Sequence, residues 1–430
     1  MTTARRVDVL VVGAGPAGLA AAARLAVAGA GRVEVLEREA SPGGVPRHCA
    51  HGGFGTWTHP LTGPRFARLL TEAAERAGAT VRTRTTALDW APEGPALHAV
   101  GPGGHEIIEA RAVVLATGAR ERPRPARLVP GTRPAGVYTT GELQQAVHLF
   151  GQHIGSRAVV VGAEDVSYAA VGTLRAAGTG VVALVTEHPR AGTGRARAQA
   201  ARLLHGIPLL TGTTVAELLG HGRLSGVRVR HRDGRTAVLP CDTVVFTGDF
   251  VPDHELARRG GLILDPGTRG PAVGGSLHTS RPGVLAAGNV LHAVEPAGTA
   301  AREGARAAGA VLDLLAGAPW PDPGVPVTVE APLRWIAPNR VTPGARPARH
   351  VLRTGTPLTR PVLLVHQDGR LLHRERSGTA SPHRPLTLTD RWHDLVDPGG
   401  GEVRVSTAQG SSGGSWAEPG PDRGEGRPVP

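Results

Sequence analysis

Short apolar runs recur along the chain, and several of them end directly at a glycine. The first run, Val7–Val12, ends at the turn GAGPAG (residues 13–18), which an alanine-rich stretch follows. A second run, Val33–Leu36, ends at the acid Glu37. Apolar runs bounded by turn residues are typical of buried strands. The order of strand, glycine turn, helix, strand and acid predicts a dinucleotide-binding βαβ unit.

Each glycine of this turn has its own physical role. Gly13 makes the tight turn, Gly15 lets a pyrophosphate approach the backbone, and Gly18 allows the helix to pack close to the strand. The first N–H groups of the helix lack intrahelical partners, so they can donate to phosphate oxygens. Glu37 stands where a carboxylate can accept hydrogen bonds from ribose hydroxyls.

A second unit with the same layout begins about 150 residues later in the chain. Its strand is Ala158–Val161, its turn is GAEDVS (residues 162–167), its helix is Tyr168–Ala177, and its next strand, Val181–Val185, leads to Glu187. The pattern indicates that the fold of the first unit is repeated.

The second turn keeps only the first glycine. Glu164 stands where the backbone must approach a pyrophosphate, and Asp165 adds another negative charge. Two carboxylates at a phosphate cradle oppose anion binding. Ser167 in place of the last glycine is a smaller change, and Glu187 still suits a ribose. NAD(P) binding at this unit is therefore left uncertain, with loss of the nucleotide site favoured over its retention.

Charge and cysteine content exclude several classes of function. The chain has 430 residues, a formal charge of +12 and no lysine, and its arginines are scattered rather than clustered with aromatic residues, so no nucleic-acid surface is expected. Its two cysteines, Cys49 and Cys241, form no CxxC pair, so zinc, iron–sulfur and dithiol sites lack ligands and no metal site is predicted. No signal peptide and no long apolar span is recognised, which favours a cytoplasmic protein.

Three further apolar strands end at characteristic pairs, which are Thr117-Gly118, Thr247-Gly248 and Gly288-Asn289. Together with the two βαβ units, in this order, they resemble the flavoproteins of the pyridine nucleotide-disulfide oxidoreductase type. The likeness covers about residues 5–318. The loop GGVPRHCAHGGFG with LTGP (residues 43–64) resembles more narrowly the oxidoreductases associated with glycerol-3-phosphate dehydrogenase and the FAD subunits of opine oxidase and hydrogen cyanide synthase.

The resemblance implies an α/β fold with two Rossmann-like domains of the three-layer ββα type. Short alternating segments after residue 327 predict a small β-rich C-terminal domain in addition. The expected division is an FAD-binding domain over residues 1–150 and 245–318, a second NAD(P)-binding-like domain over 151–244, the β-rich domain over 328–408, and a disordered tail over 409–430. Residues 319–327 are expected to form a linker.

The resemblance also implies which residues hold FAD. They are Gly13, Gly15, Pro16, Ala17, Gly18, Glu37, Arg38, Gly44, Thr117, Gly118, Gly288 and Asn289. Asn289 stands where the family usually has an aspartate that hydrogen-bonds the ribityl chain, and an amide oxygen keeps the acceptor without the charge. A helix starting near Ala297 would direct the positive end of its dipole toward the flavin.

The long loop from Ser41 to Phe66 carries the candidate catalytic residues. The disulfide reductases of the family have two cysteines after the paired glycines, whereas Cys49 is alone here, so dithiol exchange is not expected. His48 and His51 flank Cys49 and could lower its pKa, or could act on a substrate as proton acceptors. An unreactive thiol and locally hydrogen-bonded histidines are the alternatives.

These observations predict an FAD-dependent oxidoreductase that accepts a hydride from a small amine, amino acid or hydroxy acid. Electrons would leave to a quinone, oxygen, NAD(P)+ or a partner subunit, and a homo-oligomer is one expected arrangement. One alternative is an NAD(P)H-dependent flavin reductase or a peroxidase that uses Cys49. Another is a larger complex in which this chain binds FAD without catalysing a reaction.

Overall fold

The structure, a computed structural model, describes residues 3–293, 295–342 and 348–408. The first part of the chain contains ten strands and three helices. They are β1 (Thr3–Val12), α1 (Pro16–Val27), β2 (Val33–Leu36), β3 (Phe54–Gly55), β4 (Pro60–Leu61), α2 (Gly63–Arg76), β5 (Thr80–Arg82), β6 (Thr86–Trp90), β7 (Ala96–Gly101), β8 (Gly104–Leu115), β9 (Ala119–Glu121), β10 (Val137–Thr139) and α3 (Thr140–His148). Short 3₁₀ turns form at Val45–His48 and Arg124–Arg127.

The middle of the chain contains the second unit and the return to the first sheet. Its elements are β11 (Arg157–Val161), α4 (Asp165–Ala176), β12 (Gly180–Val185), α5 (Arg195–His205), β13 (Leu209–Leu210), β14 (Thr213–Leu219), β15 (Gly226–His231), β16 (Thr236–Pro240), β17 (Thr243–Phe246), β18 (Phe250–Pro252), α6 (Glu255–Arg259), β19 (Val284–Ala286), α7 (Asn289–His292) and α8 (Ala297–Leu315).

The last part is built from short strands. They are β20 (Val325–Val329), β21 (Leu333–Ala337), β22 (Arg340–Val341), β23 (His350–Thr354), β24 (Val362–Gln367), β25 (Arg370–Arg376), β26 (Leu386–Leu388) and β27 (Val403–Ala408), with a 3₁₀ turn at His393–Leu395.

The first sheet brings the ends of distant strands to one edge. Its order is β5-β2-β1-β8-β7-β6, and β19 pairs with β8. The pairs β5–β2, β2–β1, β1–β8 and β8–β19 are parallel, whereas β6 and β7 are antiparallel additions. The carboxyl ends of β1, β2, β8 and β19 therefore lie together, which is where open α/β sheets bind ligands.

Helices α1 and α8 pack closely on this sheet because small residues meet between them. A Cβ atom at Gly304 would overlap the backbone of Ala17. Most apolar side chains of β1, β8 and β19 are buried and belong to the largest hydrophobic core among the described residues.

The second unit has a parallel sheet of its own, in the order β10-β17-β11-β12-β13, and a three-stranded antiparallel sheet, β14-β15-β16. Strands β9 and β18 pair antiparallel and carry the chain between the two units. The α/β fold with two Rossmann-type units is thus confirmed.

The C-terminal strands form two sheets, β22-β20-β27-β24-β25 and β21-β23-β26. The first begins at Val325, so the stretch expected as a linker already contains the start of a strand. Asn339 connects these sheets to the first unit through two hydrogen bonds with Val273. Its side-chain Oδ1 accepts from the main-chain amide of Val273 (2.9 Å), and its own main-chain amide donates to the Val273 carbonyl (3.1 Å). The expected disordered tail, 409–430, lies outside the described residues.

None of the helices in the described part of the chain has the length and apolar character that crossing a membrane requires.

Candidate active site

The first glycine turn forms an open cradle at the N-terminus of α1. Gly13 has φ +105° and no room for a Cβ atom beside Ala116, and a Cβ atom at Gly18 would overlap the Gly13 carbonyl. A Cβ atom at Gly15, in contrast, would meet nothing within 4 Å. Two glycines are therefore required by packing, and Gly15 leaves space that a pyrophosphate can fill.

Pro16 and Ala17 form the first turn of α1 beside this space. Proline is suited to the first helical position, where its missing N–H would have no intrahelical partner. Ala17 is 5% exposed and lies against Gly288, where a Cβ atom would come within 2.7 Å of the Ala17 methyl group. The small residues at these positions thus bring the ends of β1 and β19 together.

The carboxylate of Glu37 is fixed at the end of β2. Its Oε2 accepts from the Ala14 amide (3.1 Å) and its Oε1 accepts from the Glu39 amide (2.9 Å). The residue is 7% exposed, and each oxygen keeps a lone pair for a further donor. This position fits a ribose with two hydroxyl groups.

The loop after β2 returns to the cradle at Gly44. The Gly43 amide donates to the Ala14 carbonyl (2.8 Å), and a Cβ atom at Gly44 (φ +60°) would lie 2.8 Å from the Cα atom of Gly15. Only a glycine allows this approach, which explains physically why Gly44 belongs to the candidate site.

The residues predicted to hold FAD line one cleft, apart from Gly18 and Gly288. Thr117 donates from its hydroxyl to the Asp253 carbonyl (2.6 Å), and Gly118 has φ +77°. Arg38 is exposed and pairs with Asp253 (3.4 Å). These contacts tie the end of β8 to the return from the second unit.

Asn289 uses its amide within the chain. Its Nδ2 donates to the Glu295 carbonyl (3.1 Å), and its Oδ1 accepts from the Glu295 amide (3.2 Å). The amide thereby closes the turn that leads into α8, which begins at Ala297 as predicted. One lone pair of Oδ1 remains for a ribityl hydroxyl, so the role expected for Asn289 stays a prediction.

The second cradle is filled by its own side chain. Oε2 of Glu164 accepts from the Ala163 amide (2.9 Å), and Oε1 lies 2.8 Å from the Thr247 hydroxyl. The Glu164 amide donates to the Ser167 hydroxyl (3.2 Å). A carboxylate therefore takes hydrogen bonds at the place where the first cradle is open.

The C-terminal sheets also reach this second cradle. The His383 ring lies against Gly192, leaving no room for a Cβ atom there, and it meets the His188 ring edge-on with centroids 5.3 Å apart. Burial lowers the pKa of His383, although the Glu164 carboxylate acts in the opposite direction. Glu187, the expected ribose ligand, is 70% exposed at its side chain.

Cys49 lies in the cleft, but the environment opposes a reactive thiolate. Its Sγ lies 3.2 Å from Gln144 Oε1, and burial, with the nearby Glu121 charge, raises the pKa of the thiol to about 12. The idea that His48 and His51 lower this pKa is therefore wrong. Burial lowers the pKa of His48 itself to about 4, so it carries no charge to stabilise a thiolate.

His51 differs from His48 in its surroundings. It is exposed, its Nδ1 lies 2.7 Å from the Gly52 carbonyl, and its ring packs against Phe54 with centroids 5.6 Å apart. Both histidines line the cleft, and their catalytic roles stay predictions.

A single cleft of about 2690 Å³ joins both cradles with the 41–66 loop and the C-terminal sheets. Sequence reasoning missed several residues of its wall, because none lies in a recognisable motif. They are Glu121, Thr140, Gln144, His292, Glu295, Trp335, Arg353 and His383.

Arg353 brings the C-terminal sheets into this cleft. It pairs with Glu295 (2.9 Å), and both residues are less than a tenth exposed. Its guanidinium lies 6.0 Å from the centre of the Trp335 ring, which stacks on His292. The β-rich C-terminal region therefore contributes side chains to the wall of the cleft.

An open glycine cradle, an acid at the end of β2 and a second βαβ unit define the class of dinucleotide-binding oxidoreductases with two nucleotide-type domains. The chain belongs to the pyridine nucleotide-disulphide oxidoreductase family, whose profile matches residues 7–304. The members of this family are FAD-dependent oxidoreductases.

Similar proteins include components of oxidases as well as reductases. The chain is 31% identical over 330 residues to the alpha subunit of sarcosine oxidase from Corynebacterium sp. (strain U-96), covering 72% of this chain and 30% of that protein. It is 36% identical over 173 residues to an opine oxidase subunit from Agrobacterium tumefaciens (strain Ach5), covering 37% of this chain and 33% of that protein. The match therefore spans about a third or less of the length of these relatives.

Among solved structures, thioredoxin reductase of T. acidophilum superposes with a TM-score of 0.61 at 23% identity. The superposition covers 73% of this chain and 98% of that one, and it shows the shared fold.

Proposed function

We propose that the protein oxidises a small amine, amino acid or hydroxy acid by hydride transfer to FAD, without a redox-active disulfide. The observation that carries the proposal is the contrast within one cleft. The first cradle is open at Gly15, whereas the second is filled by Glu164, and the described wall of the cleft contains one cysteine, which has a raised pKa. An organic donor then fits the site better than a nicotinamide donor or a dithiol.

The relatives support the same substrate class, since two of them are named as subunits of a sarcosine oxidase and an opine oxidase. Their names as subunits also support a partner that receives the electrons or completes the enzyme. We propose that FAD is held by the first cradle, Glu37 and the ends of β8 and β19, and that it supplies the two-electron oxidant.

The test is an anaerobic screen of the purified yellow protein, in which flavin absorbance is followed after each donor is added. Sarcosine, other N-alkyl amino acids, simple amino acids and hydroxy acids form one set, and NADH and NADPH form the other. Bleaching by a member of the first set, with none by the nicotinamides, is expected. Rapid bleaching by NADH or NADPH alone would overturn the proposal in favour of a reductase.

Retention of FAD without reduction by any donor would instead favour a non-catalytic, FAD-binding component of a complex. The peroxidase alternative is tested with Cys49→Ser, because loss of hydrogen peroxide turnover in that variant would assign the thiol a catalytic role.

A further inference from the structure

Three separate elements place polar side chains on the wall of the cleft around Cys49. The 3₁₀ turn Val45–His48 packs on α3, where Cys49 Sγ meets Gln144 Oε1 (3.2 Å). At the start of the same helix, the Gly141 amide donates to Oε2 of Glu121, the last residue of β9 (2.8 Å). The group formed by His48, Glu121 and Thr140 is called the acceptor cluster below.

The acceptor cluster has more hydrogen-bonding capacity than the described residues use. Both ring nitrogens of His48 are buried without a hydrogen-bond partner among the described residues. Oε1 of Glu121 and the hydroxyl of Thr140 are also buried and make no hydrogen bond of normal geometry there, although the hydroxyl is close enough to lower the pKa of the Glu121 carboxyl. His48 is 5% exposed and Thr140 is 2% exposed. A buried polar atom without a partner costs about 1–3 kcal/mol, so such atoms concentrated in one place indicate a ligand that supplies the missing partners.

The Glu121 carboxyl can attract a cation and can also accept a proton from it. Burial raises the pKa of Glu121 to about 7, and the Glu164 carboxylate of the second unit acts in the same direction. The Gly141 amide, the nearby Thr140 hydroxyl and the Arg127 guanidinium act against this rise. Arg127 itself donates to the carbonyls of Arg122, Thr247 and Gly248, so its N–H groups are engaged elsewhere.

The side chains of His48 and Cys49 are neutral near pH 7, whereas the Arg47 guanidinium beside His48 is charged and pairs with Glu39 (3.6 Å). Burial lowers the pKa of His48 to about 4, with Arg47 and His148 acting in the same direction, and the Cys49 thiol has a pKa of about 12. Burial, with a contribution from His51, also lowers the pKa of His148. The Glu121 carboxylate thus lies beside the neutral Thr140 and the Cys49 thiol, and the guanidinium groups near the cluster are engaged with the Glu39 carboxylate or with main-chain carbonyls, which leaves the carboxylate for an ammonium group.

We propose that the acceptor cluster binds the ammonium group of an amine substrate and that Glu121 accepts its proton. In this step an N–H bond breaks, an O–H bond forms on the carboxylate, and the electron pair stays on nitrogen as a lone pair. The free amine is the form from which a hydride can leave the adjacent carbon, with FAD as the oxidant. This inference rests on the proposed function and narrows its substrate class to primary and secondary amines.

Matching of pKa values favours an amine over a hydroxy acid. An alkylammonium ion such as that of lysine has a pKa of about 10.4, whereas an alcohol is a far weaker acid. A carboxylate with a pKa of about 7 can accept the proton of the ammonium ion at a cost of roughly 5 kcal/mol. It could accept the proton of an alcohol only at a much higher cost.

The test measures binding of tert-butylamine, whose nitrogen-bearing carbon has no hydrogen to lose as hydride. Calorimetry on the FAD-loaded full chain at pH 8 is expected to show binding that Glu121→Gln weakens about tenfold or more. Affinity of the wild type should fall as the pH drops below about 7, because Glu121 then becomes protonated. Glu217→Gln, which removes an exposed carboxylate of β14 outside the cleft, should leave the affinity unchanged.

Retained flavin absorbance and an unchanged circular dichroism spectrum establish that the Glu121 variant is folded. Thr140→Val is a second variant, and its loss of one hydroxyl should weaken binding about fivefold. Absence of binding by the wild type, or equal affinity in wild type and Glu121→Gln, would overturn the proposal.

The proposed oxidation and the proposed role of Glu121 can be refuted separately. Binding of tert-butylamine that depends on Glu121, without flavin bleaching by any amine, would refute the oxidation and leave the site in place. Bleaching by an amine with the same rate and pH profile in Glu121→Gln as in the wild type would support the oxidation and refute the role of Glu121.

Discussion

The two βαβ units of this protein share a turn but treat its third residue differently. Gly13 and Gly162 both have positive φ, +105° and +138°, because the chain must turn sharply from strand to helix. The third residue is Gly15 in one unit, with open space above it, and Glu164 in the other, with its carboxylate bound to the turn. The turn at Gly13 and Gly162 is therefore needed for the packing of both units, whereas the space at Gly15 is needed only for a ligand.

The sharpest test of this comparison transfers the side chain of one unit to the other. Gly15→Glu places a carboxylate where the pyrophosphate of FAD would lie, so FAD affinity should fall at least 100-fold, measured as flavin content after purification. The fold should persist, because a Cβ atom at Gly15 meets nothing within 4 Å. Val27→Glu, on the exposed end of α1, is the matched control, and full FAD content in Gly15→Glu would contradict the assignment.

The reverse substitution tests the second unit. Glu164→Gly removes a carboxylate that occupies the turn and frees the Ala163 amide, so affinity for NADH should rise about tenfold or more in calorimetry. Asp165→Asn should give a smaller gain, because Asp165 is exposed and already pairs with Arg197 (2.8 Å). Tight NADH binding by the wild type would refute the view that Glu164 closes this site.

The acids that follow the second strand of each unit also differ, because Glu37 is buried and hydrogen-bonded whereas Glu187 is exposed. Glu37→Gln replaces an oxygen that accepts from the Ala14 amide by an NH₂ group, or turns the amide away from one of its donors, so FAD should bind about tenfold more weakly. Glu187→Gln should leave FAD binding unchanged, since its side chain is 70% exposed. Fluorescence titration of the apoprotein with FAD measures both, and equal affinities in the two variants would contradict the difference.

The two thiols give the smallest expected effect. Burial raises the pKa of Cys49 to about 12 and that of Cys241 to about 11, so the Cys49 thiolate fraction at pH 8 is on the order of one in ten thousand. Alkylation by iodoacetamide should be negligible at pH 8 in the folded protein and rapid after unfolding, as mass spectrometry can show. Rapid modification of Cys49 in the folded state would contradict this prediction and would show that the thiol is reactive.

The sequence predicted the parts of the molecule that depend on local backbone requirements. The turn at residues 13–18, the acid at Glu37 and the start of α8 near Ala297 each follow from glycine geometry or strand order, and the structure contains each of them. The obstruction of the second turn was also foreseeable, because Glu164 puts a charged side chain at the position that Gly15 leaves empty in the first.

The rest of the cleft depends on contacts between residues far apart in the chain. Glu121 accepts from the amide of Gly141, and Glu295 pairs with Arg353. A periodic pattern of hydrophobic residues cannot predict such contacts, because the partners are far apart in the sequence. The raised pKa of Cys49 also arises from burial, whereas the neighbouring histidines in the sequence suggested the opposite. Side-chain environment, rather than residue type, decides these properties.

The Glu295–Arg353 ion pair makes the C-terminal sheets a condition for the stability of the flavin-binding half. Arg353→Met would leave Glu295, just before α8, buried without its countercharge. Loss of one partner of a buried ion pair costs about 3–5 kcal/mol, a large share of the stability of an ordinary domain. The flavin-binding half and the C-terminal sheets are therefore expected to melt in one transition, at a temperature that Arg353→Met lowers.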